Sequence, residues 1–339
     1  MPTAQKEGSV VNSNSDAAII RVTSYHRKDF EASVITAESG RHNDVRSSIF
    51  QNLGATQGLG TGMGQLQRLP LELAWSICLY LDIQSALRFS QVNRSARQCI
   101  ASIPQYRRLG KHALECIWAL SRTGLASRID VLSLHATLTT ERCVVCGLFG
   151  GFIFLPTCAR CCVQCIASAP SLRVVPLRAL SKASGVPIGR LKRSREVFNS
   201  IPGKYSSNFT QQRRLRCFVS GQYALEVLRK RGDQDAQIIL DALPDSPVWR
   251  FMTSATLPYA DLTTDDPDVG RACKGCQVAM EAHFCEANFL RRERLYSRRG
   301  FLEHFQHCQE AQAMWIASEG GTVTVEEPEF TKYGGGTVT

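Results

Sequence analysis

Residues 69–97 read LPLELAWSICLYLDIQSALRFSQVNRSAR, and this stretch decides how the first folded part of the chain is built. Pro70 suits the first turn of a helix, where its missing N–H would have no partner. Apolar residues then recur every four positions at Leu73, Ile77 and Leu81, which is typical of one face of a helix. The stretch therefore opens with a predicted amphipathic helix.

Two further short helices are predicted directly after it. Asp82 is a good N-cap for a helix that carries Leu87 and Val92, because its carboxylate can accept a hydrogen bond from a free backbone N–H. Asn93 can cap a third helix, which Pro104 must end. We therefore expect a cluster of short helices here.

The same stretch resembles an F-box. The family pattern runs Leu-Pro-x-Glu-Leu, a variable turn, Tyr-Leu-Asp, and then Leu-x-x-Ser-x-Val. The positions that follow it in order are Leu69, Pro70, Glu72, Leu73, Ile77, Tyr80, Leu81, Asp82, Leu87, Ser90 and Val92.

The resemblance implies an F-box over residues 66–110 that docks on a Skp-type adaptor and, through it, on a cullin–RING ubiquitin ligase. A hydrophobic helical face would then meet a groove of the partner. The candidate adaptor-binding residues are Leu69, Pro70, Glu72, Leu73, Ile77, Leu81, Leu87 and Val92.

Composition limits the class of protein. The chain has 339 residues and a net charge of +10, so a polyanionic partner is possible but not required. We find no signal peptide and no apolar run long enough to span a bilayer. Fourteen cysteines in such a chain indicate a reducing compartment, where they serve as metal ligands or buried thiols. We expect a cytoplasmic or nuclear protein without a membrane partner.

Both ends of the chain have the composition of unstructured segments. Residues 1–65 lack sustained apolar periodicity and contain a Gly-rich linker, although Ala17–Val22 suits a short strand or a docking segment. Residues 319–339 are acidic and then Gly-rich. We therefore expect disorder over 1–65 and 319–339.

A cysteine-rich segment follows the first helices, within the predicted region 111–170. Lys111–Arg122 is predicted as a helix with Gly124 as its C-cap, and Asp130–Thr140 fits either a helix or a strand. A run of 23 residues then holds six cysteines, namely Cys143, Cys146, Cys158, Cys161, Cys162 and Cys165.

This density favours a zinc site over isolated thiols or a redox pair. The turn Cys143-x-x-Cys146 places two thiolates on one metal ion, and a second pair would complete a tetrahedron. Cys162 and Cys165 have the spacing that fits a zinc ribbon better, whereas Cys158 and Cys161 are the competing pair. Glycines between the pairs suit a tight hairpin, with phenylalanines beside it, at Gly147, Gly150, Gly151, Phe149, Phe152 and Phe154.

The cysteine-rich segment is similar to the cluster that follows the F-box in a large group of fungal F-box proteins. The resemblance implies that the final pair, Cys162 and Cys165, binds metal.

Residues 171–268 are predicted to be loop-rich, first basic and then acidic. Residues 171–220 hold eleven Lys or Arg against one acid, Glu196, which suits phosphate contacts or a nuclear-import signal; a solvated surface is the simpler interpretation. Short elements are predicted at Leu215–Ser220 (strand) and Tyr223–Arg231 (helix). The acidic part, Leu243–Asp268, is predicted to lie against the basic part.

A second zinc site is predicted within residues 269–318. Cys273 and Cys276 form a Cys-x-x-Cys turn, and His304 and Cys308 lie four apart on a predicted helix over Arg299–Ser318, where they would share one face. The competing ligands are His307 and Cys285. A terminal Cys-x-x-Cys followed by His-x-x-x-Cys is also similar to the end of the fungal proteins.

No pattern of an enzyme is present. The sequence lacks a phosphate-binding loop, a nucleophile elbow and a His-Glu-x-x-His motif, and four-ligand zinc sites leave no open position for catalysis. We therefore predict a non-enzymatic protein.

The predicted fold is α+β, mainly α. It comprises an N-terminal helical F-box, a zinc-ribbon-like hairpin region and a C-terminal helix that closes a second metal site. The expected function is recognition of an unidentified protein target for ubiquitylation. The alternative is a zinc-stabilised nucleic-acid-binding protein that uses residues 171–220, and a third possibility is a scaffold that holds the adaptor without turnover.

Overall fold

The computed structural model describes residues 13–37, 62–230 and 235–336. The chain divides into two compact units. One unit, here called the terminal unit, is drawn from Met1–Lys28 and Gly270–Thr339, and the other, the central unit, is Asp29–Val269.

The described residues form short helices, six of which follow one another over 71–138, and short strands. The helices are α1 (Ser13–Thr23), α2 (Lys28–Ala32), α3 (Leu71–Leu79), α4 (Ile83–Val92), α5 (Arg94–Ser102), α6 (Pro104–His112), α7 (Leu114–Thr123), α8 (Val131–Leu138), α9 (Val163–Ser168), α10 (Leu177–Ser184), α11 (Ile188–Leu191), α12 (Gly221–Arg229), α13 (Ala236–Ala242), α14 (Pro247–Phe251), α15 (Lys274–Ala282), α16 (Glu286–Arg292), α17 (Arg298–Phe305), α18 (Gln309–Ala317) and α19 (Glu329–Lys332). The strands are β1 (Ser24–Tyr25), β2 (Phe152–Phe154), β3 (Ala159–Cys161), β4 (Val174–Pro176), β5 (Phe198–Asn199), β6 (Gly203–Tyr205), β7 (Thr210–Gln212), β8 (Cys217–Ser220), β9 (Ser254–Thr256), β10 (Tyr259–Ala260), β11 (Pro267–Asp268) and β12 (Ala272–Cys273). The mainly helical fold class predicted from the sequence is confirmed.

The first helices of the central unit begin where their capping residues predict. The Asp82 carboxylate accepts from the Ser85 N–H at 2.8 Å, and α4 follows it. The Asn93 side chain accepts from the Ala96 N–H at 2.8 Å, and α5 follows it. Pro104 then starts α6, so helix α5 has ended before it.

The next two helices refine the predicted boundaries. The predicted helix Lys111–Arg122 is interrupted at Ala113, which separates α6 from α7. Gly124 ends α7 in the left-handed region with φ 84°, as its C-cap prediction requires. Residues Asp130–Thr140 are helical rather than extended, because the Asp130 carboxylate caps α8 through the Ser133 N–H.

The cysteine-rich segment forms a three-stranded antiparallel sheet in the order β3-β2-β9. Phe152 pairs with Cys161 on one side and with Thr256 on the other. The chain turns twice here. The predicted glycine turn is present at Gly147, which has φ 73° and lies between the bridged residues Arg142 and Phe149. The hairpin between β2 and β3 turns later, through a 3-10 segment at Leu155–Thr157. The predicted packing of phenylalanines is present, since Phe149, Phe152 and Phe154 are buried.

A buried arginine holds this sheet to the helices. The Arg160 side chain on β3 is fully buried and has no carboxylate partner among the described residues. Its guanidinium donates instead to backbone carbonyl oxygens of three separate segments. The acceptors are Thr137 (2.9 Å), Leu138 (3.3 Å), Gly150 (2.5 Å), Leu257 (2.9 Å) and Pro258 (3.0 Å).

Residues 171–268 contain more regular structure than the loop-rich prediction allows. Strands β4, β8 and β5 form an antiparallel sheet, and helices α10 to α14 accompany it. A hydrophobic cluster lies beneath, formed by Val175, Leu177, Leu180, Leu191, Val219, Ala224, Leu228, Ala236 and Leu240. The strand predicted at Leu215–Ser220 is observed as β8, and the helix predicted from Tyr223 is observed as α12; residues 231–234 lie outside the described part.

The acidic segment contacts the basic one, since the Arg173 guanidinium donates to the Leu243 carbonyl at 2.6 Å, but two of its carboxylates pair with cations outside residues 171–220. Asp265 lies at the tip of the β10–β11 hairpin and pairs with Arg108 and Lys111 on α6 rather than with a cation of residues 171–220. Asp245 pairs with Arg250 on α14.

The terminal unit joins a segment near one end of the sequence to a segment near the other. Strand β1 pairs antiparallel with β12, so that Ser24 lies opposite Cys273. Helix α1 packs on α17 and α18. The expectation of disorder is therefore wrong for residues 13–37, and Ala17–Val22 is helical rather than extended; residues 1–12 and 38–61 lie outside the described part of the chain.

The acidic tail is also structured in its described part. Helix α19 is preceded by Pro328, and its Thr331 is buried. The Phe330 ring lies edge-on to Tyr25 at 6.5 Å between ring centroids, and the Arg292 guanidinium lies 4.5 Å from the Phe330 centroid. The expectation of disorder over 319–339 is thus wrong up to residue 336.

Helices α17 and α18 replace the single helix predicted over Arg299–Ser318. The first ends at Phe305 and the second begins at Gln309, with Cys308 as its N-cap. His304 and Cys308 therefore do not share one continuous helical face.

A search of the described helices for a membrane span finds none that is both long enough and apolar enough.

Replacing the buried arginine should destabilise the central unit strongly. Arg160→Met removes the N–H groups that donate to several buried carbonyl oxygens. Each carbonyl group left unpaired costs about 1–3 kcal/mol. We expect the free energy of unfolding to fall by at least about 3 kcal/mol in urea denaturation. Arg178→Met, at an exposed position of α10, is the matched control and should change it by less than about 0.5 kcal/mol. Equal stability of the two variants would contradict this role of Arg160.

Candidate functional sites

The first candidate site is an apolar surface on helix α3 and its flanking residues. Helix α3 buries Ala74 and Cys78, which are small, against the rest of the unit. Several of its larger side chains are exposed, among them Leu73 (52%) and Ile77 (48%). These two residues lie four apart and therefore share one face of the helix.

Further large apolar side chains are exposed beside and beyond the helix. Tyr80, at the C-terminal end of α3, is 76% exposed, and Val92, at the end of α4, is 69% exposed. Leu69 and Leu71 are exposed at the start of α3. Clustered exposed apolar side chains of this kind mark interaction sites, because water disfavours them. We call this set of residues, Leu69, Leu71, Leu73, Ile77, Tyr80 and Val92, the apolar face.

Helix α3, which carries most of the apolar face, is held to helix α5 by a hydrogen bond. The Trp75 indole N–H donates to the Ser102 hydroxyl at 2.9 Å, which ties α3 to the end of α5. Ser102 in turn donates to the Cys99 carbonyl at 2.6 Å. The face is therefore presented by a supported helix.

The second candidate site is a cluster of four cysteines in the central unit. The thiol sulfurs of Cys143, Cys146, Cys162 and Cys165 all lie within 4.8 Å of one another, as a shared metal ion requires. The sulfurs of Cys146 and Cys162 are 3.6 Å apart. Two thiolates on one tetrahedral zinc ion with bonds of about 2.3 Å would lie about 3.8 Å apart.

Each half of this cluster has its own local support. Cys143 and Cys146 lie on a turn closed by the Gly147 N–H, which donates to the Cys143 carbonyl at 2.9 Å. Cys162 is the N-cap of α9, and its sulfur accepts from the Cys165 N–H at 3.5 Å. The N-terminus of a helix favours a negative charge, so this position suits a thiolate.

The structure decides between the two cysteine pairs that the spacing left open. Cys161 is still part of strand β3 and is buried with its sulfur directed to the Ala159 carbonyl. Cys158 lies at the β2–β3 turn, where its sulfur contacts the Thr137 hydroxyl at 3.5 Å. Neither sulfur belongs to the group of four that lie within 4.8 Å of one another. Cys162 and Cys165 thus complete the cluster.

Protons are already shared within the four-cysteine cluster. The Cys162 thiol donates to the Cys143 sulfur, which lowers the pKa of Cys143 to about 4, and the same hydrogen bond raises the pKa of Cys162. A metal ion that binds these thiols would displace the protons they carry.

The third candidate site is a Cys/His cluster in the terminal unit. Its ligand atoms also lie within 4.8 Å of one another, and they belong to Cys273, Cys276, His304 and Cys308. The Cys273 and Cys308 sulfurs are 3.7 Å apart, and the Cys276 sulfur is 3.4 Å from His304 Nε2. These separations again suit a tetrahedral ion.

Three helix ends bring these ligands together. Cys273 is the N-cap of α15 and Cys276 lies in its first turn, while His304 is near the end of α17 and Cys308 is the N-cap of α18. Hydrogen bonds from Cys273 and Cys276 lower the pKa of Cys308. Tyr296 stacks on the His304 ring at 4.4 Å between ring centroids and so fixes its plane.

The close approach of α15 and α18 depends on Gly275. A Cβ at this position would lie 2.3 Å from the Ala311 backbone nitrogen, so no larger residue fits without moving a helix. Sequence reasoning missed this contact, and it missed Ile19 and Ile20 of α1, which pack against the same cluster. No local pattern links α1 to residues 250 positions away.

The competing ligands considered for the third site lie outside it. Cys285 caps α16, where its sulfur accepts from the Asn288 N–H at 3.5 Å. His307 is exposed to solvent. Neither belongs to the cluster.

Comparison with known families identifies the region that carries the apolar face. The family model of the F-box domain matches residues 66–108. The chain contains an F-box domain. The chain as a whole matches no curated protein and no solved structure.

The F-box match covers α3 to α5 and the first part of α6. Six of the candidate adaptor-binding residues in the F-box are exposed, namely Leu69, Pro70, Glu72, Leu73, Ile77 and Val92, and two are half-buried, Leu81 and Leu87. The F-box thus presents most of these side chains to solvent.

Metal analysis should distinguish ligands from neighbouring thiols. In Cys162→Ser a ligand of the four-cysteine cluster is lost, so the purified variant should carry one metal ion fewer than the native chain by mass spectrometry. Cys158→Ser is the matched control, since Cys158 is a partly buried cysteine of the same hairpin outside the cluster, and it should retain the native metal content. Loss of the ion from both variants, or from neither, would contradict the ligand assignment.

Proposed function

We propose that this chain is a substrate-recognition subunit of an SCF-type cullin–RING ubiquitin ligase. Its F-box would dock on a Skp-type adaptor and through it on a cullin, and the rest of the chain would recruit a protein target for ubiquitylation. The observation that carries the proposal is the apolar face of the F-box, on which Leu73 and Ile77 are about half exposed.

The apolar face has the chemistry of a docking surface. Its leucine, isoleucine, valine and tyrosine side chains gain free energy when a partner removes them from water, by about 25 cal/mol for each Å² buried. Spacing of four residues lets Leu73 and Ile77 enter one groove side by side, as helices do when they bind a partner. The small buried residues Ala74 and Cys78 leave the large ones available for this purpose.

A charge at the centre of the apolar face should abolish adaptor binding. In Leu73→Lys an ammonium group would have to enter an apolar contact, so recovery of a Skp-type adaptor in co-purification should fall by at least about 100-fold. Because Leu73 is 52% exposed, the variant should unfold at the same urea concentration as the native chain.

The matched control is Ile238→Lys. Ile238 is an apolar residue of helix α13 that is 67% exposed and lies outside the F-box. Adaptor recovery should be unchanged in this variant. Native recovery with Leu73→Lys, or equal loss with Ile238→Lys, would rule out docking through the apolar face.

We further propose that each Cys/His cluster holds a zinc ion with a structural role. Both donor sets suit zinc, since four thiolates or three thiolates and an imidazole are its usual structural ligands. All four positions would be occupied by protein atoms, which leaves no site for a substrate or an activated water. This supports the expectation that the chain is not an enzyme. Reduced cysteines also support residence in the cytoplasm or nucleus.

The basic segment supports nucleic-acid binding as a second, weaker candidate function. Among the cations of residues 171–220 only Arg173 is buried, and the others are exposed. Ten exposed cations on one segment attract polyanions without reading a sequence.

We expect the affinity of the full chain for duplex DNA to be weak, independent of base sequence, and strongly reduced between 50 and about 200 mM salt. Filter binding with two unrelated duplexes over this range of salt measures the affinity, its dependence on base sequence and its dependence on salt. Nanomolar affinity for one of them at physiological salt would favour the nucleic-acid function over the proposed one.

A further inference from the structure

A cavity of about 600 Å³ lies between helix α6 and the tip of the β10–β11 hairpin in the central unit. Its polar lining consists of Arg107, Arg108 and Lys111 from α6 and Asp265 from the hairpin. Arg107 and Lys111 are four residues apart and Arg108 and Lys111 are three apart, so one face of α6 supplies all three cations. The volume is in the range of small-molecule sites, which is about 300–1,000 Å³.

The cavity carries an excess of positive charge. Asp265 accepts from Arg108 Nε at 2.9 Å and from Lys111 Nζ at 2.8 Å, and His112 Nε2 lies 3.3 Å from the same carboxylate. The hydrogen bond from Lys111 contributes most to lowering the pKa of Asp265, and that from Arg108 comes next. The carboxylate is therefore ionised at neutral pH. Among the residues that line the cavity, three cations against one carboxylate leave a net charge of +2.

The hairpin holds Asp265 in a fixed position. The residue adopts a left-handed backbone conformation with φ 53°, and its N–H donates to the Asp261 carbonyl at 3.0 Å. The Asp261 side chain in turn accepts from the Thr263 N–H at 2.6 Å. The Asp265 carboxylate therefore orients the Arg108 and Lys111 donors along the wall of the cavity.

Donors remain after these bonds are made. Arg108 uses Nε for Asp265, and its Nη1 lies 3.4 Å from His135 Nε2. Burial and the nearby Arg108 lower the pKa of His135, so this imidazole is neutral and can accept from Arg108. Arg108 Nη2 has no hydrogen bond within the described residues, and the Lys111 ammonium has three N–H donors in all. Arg107 is exposed and makes no ion pair with any described residue.

We propose that this cavity binds the phosphoryl group of a small phosphate ester. A phosphate monoester carries a charge of about −1.5 to −2 at neutral pH, which matches the excess of +2, and it offers three acceptor oxygens to the guanidinium and ammonium donors. A carboxylate ligand would neutralise only half of this charge. The rest of the ligand would lie along Pro104 and Leu114, which form apolar lining.

The lining also limits the chemical class of the rest of the ligand, here called its body, to which the phosphoryl group is attached. None of the described residues that line the cavity is aromatic, so the cavity has no platform on which a base could stack. A compact, hydroxyl-bearing body such as a sugar fits the mixed polar and apolar lining. This inference is independent of adaptor docking, because it concerns residues outside the apolar face.

Isothermal titration calorimetry of the full chain at low salt tests the proposal, with glucose 6-phosphate and inorganic phosphate as probes. We expect saturable binding of glucose 6-phosphate. Arg107→Gln and Lys111→Gln should each weaken it at least tenfold, since each removes one of the charges that hold the dianion. Both residues are exposed, so an unchanged melting temperature should accompany the loss.

The matched control is Arg178→Gln, which removes an exposed cation of helix α10 that does not line the cavity. Its affinity should stay within twofold of the native value. Absence of saturable binding by the native chain, or equal weakening by the control, would overturn the site. Equal affinity for inorganic phosphate would overturn the ester assignment, because the body of the ligand would then contribute nothing.

Discussion

The burial of one positive charge, that of Arg160, organises the central unit. A guanidinium is stable away from water only when its N–H groups have hydrogen-bond acceptors. A carboxylate usually provides them, but for Arg160 the acceptors are backbone carbonyl oxygens. Carbonyls from α8, from the loop before β2 and from the residues after β9 must converge on the same side chain. Burial lowers the pKa of Arg160 to about 10, so the group remains charged at neutral pH and the constraint holds.

The same residue connects this constraint to the four-cysteine cluster. The backbone carbonyl of Arg160 accepts from the Val144 N–H at 3.0 Å, so the turn that carries Cys143 and Cys146 is anchored to strand β3. Strand β3 then leads directly into Cys162 and helix α9. The two halves of the cluster are thus brought to one place by a strand whose own position depends on a buried charge.

Local chemistry predicted much of this arrangement. The caps at Asp82 and Asn93 and the turn at Gly124 are decided by neighbours in sequence, and they were predicted correctly. The spacing of the cysteines and the histidine also predicted which side chains meet in both clusters. The choice between Cys161 and Cys162 was not decidable from spacing, because it depends on where β3 ends. Cys161 is the last residue of the strand and is buried beneath it, whereas Cys162 leaves the strand and begins a helix.

Long-range pairing explains the expectations that failed. Residues 319–336 look unstructured because they hold few apolar side chains, and residues 13–37 look unstructured because their apolar side chains follow no sustained periodicity. In both cases the partners are far away in sequence. Ile19 and Ile20 are covered only by a cluster built from residues beyond 270, and Phe330 packs on Tyr25. The break between α17 and α18 places Cys308 at the N-cap of α18, and a smooth helical periodicity over 299–318 does not reveal it.

The pairing of β1 with β12 sets an order of events during synthesis. Tyr25 emerges from the ribosome about 250 residues before its partner Ala272, a delay of roughly 12–50 s at ordinary elongation rates. The central unit can fold during that interval. Strand β1 then still lacks its partner β12, and Ile19 and Ile20 of α1 still lack the cluster against which they pack. The early segment of the terminal unit therefore stays without its native partners until translation has passed residue 270.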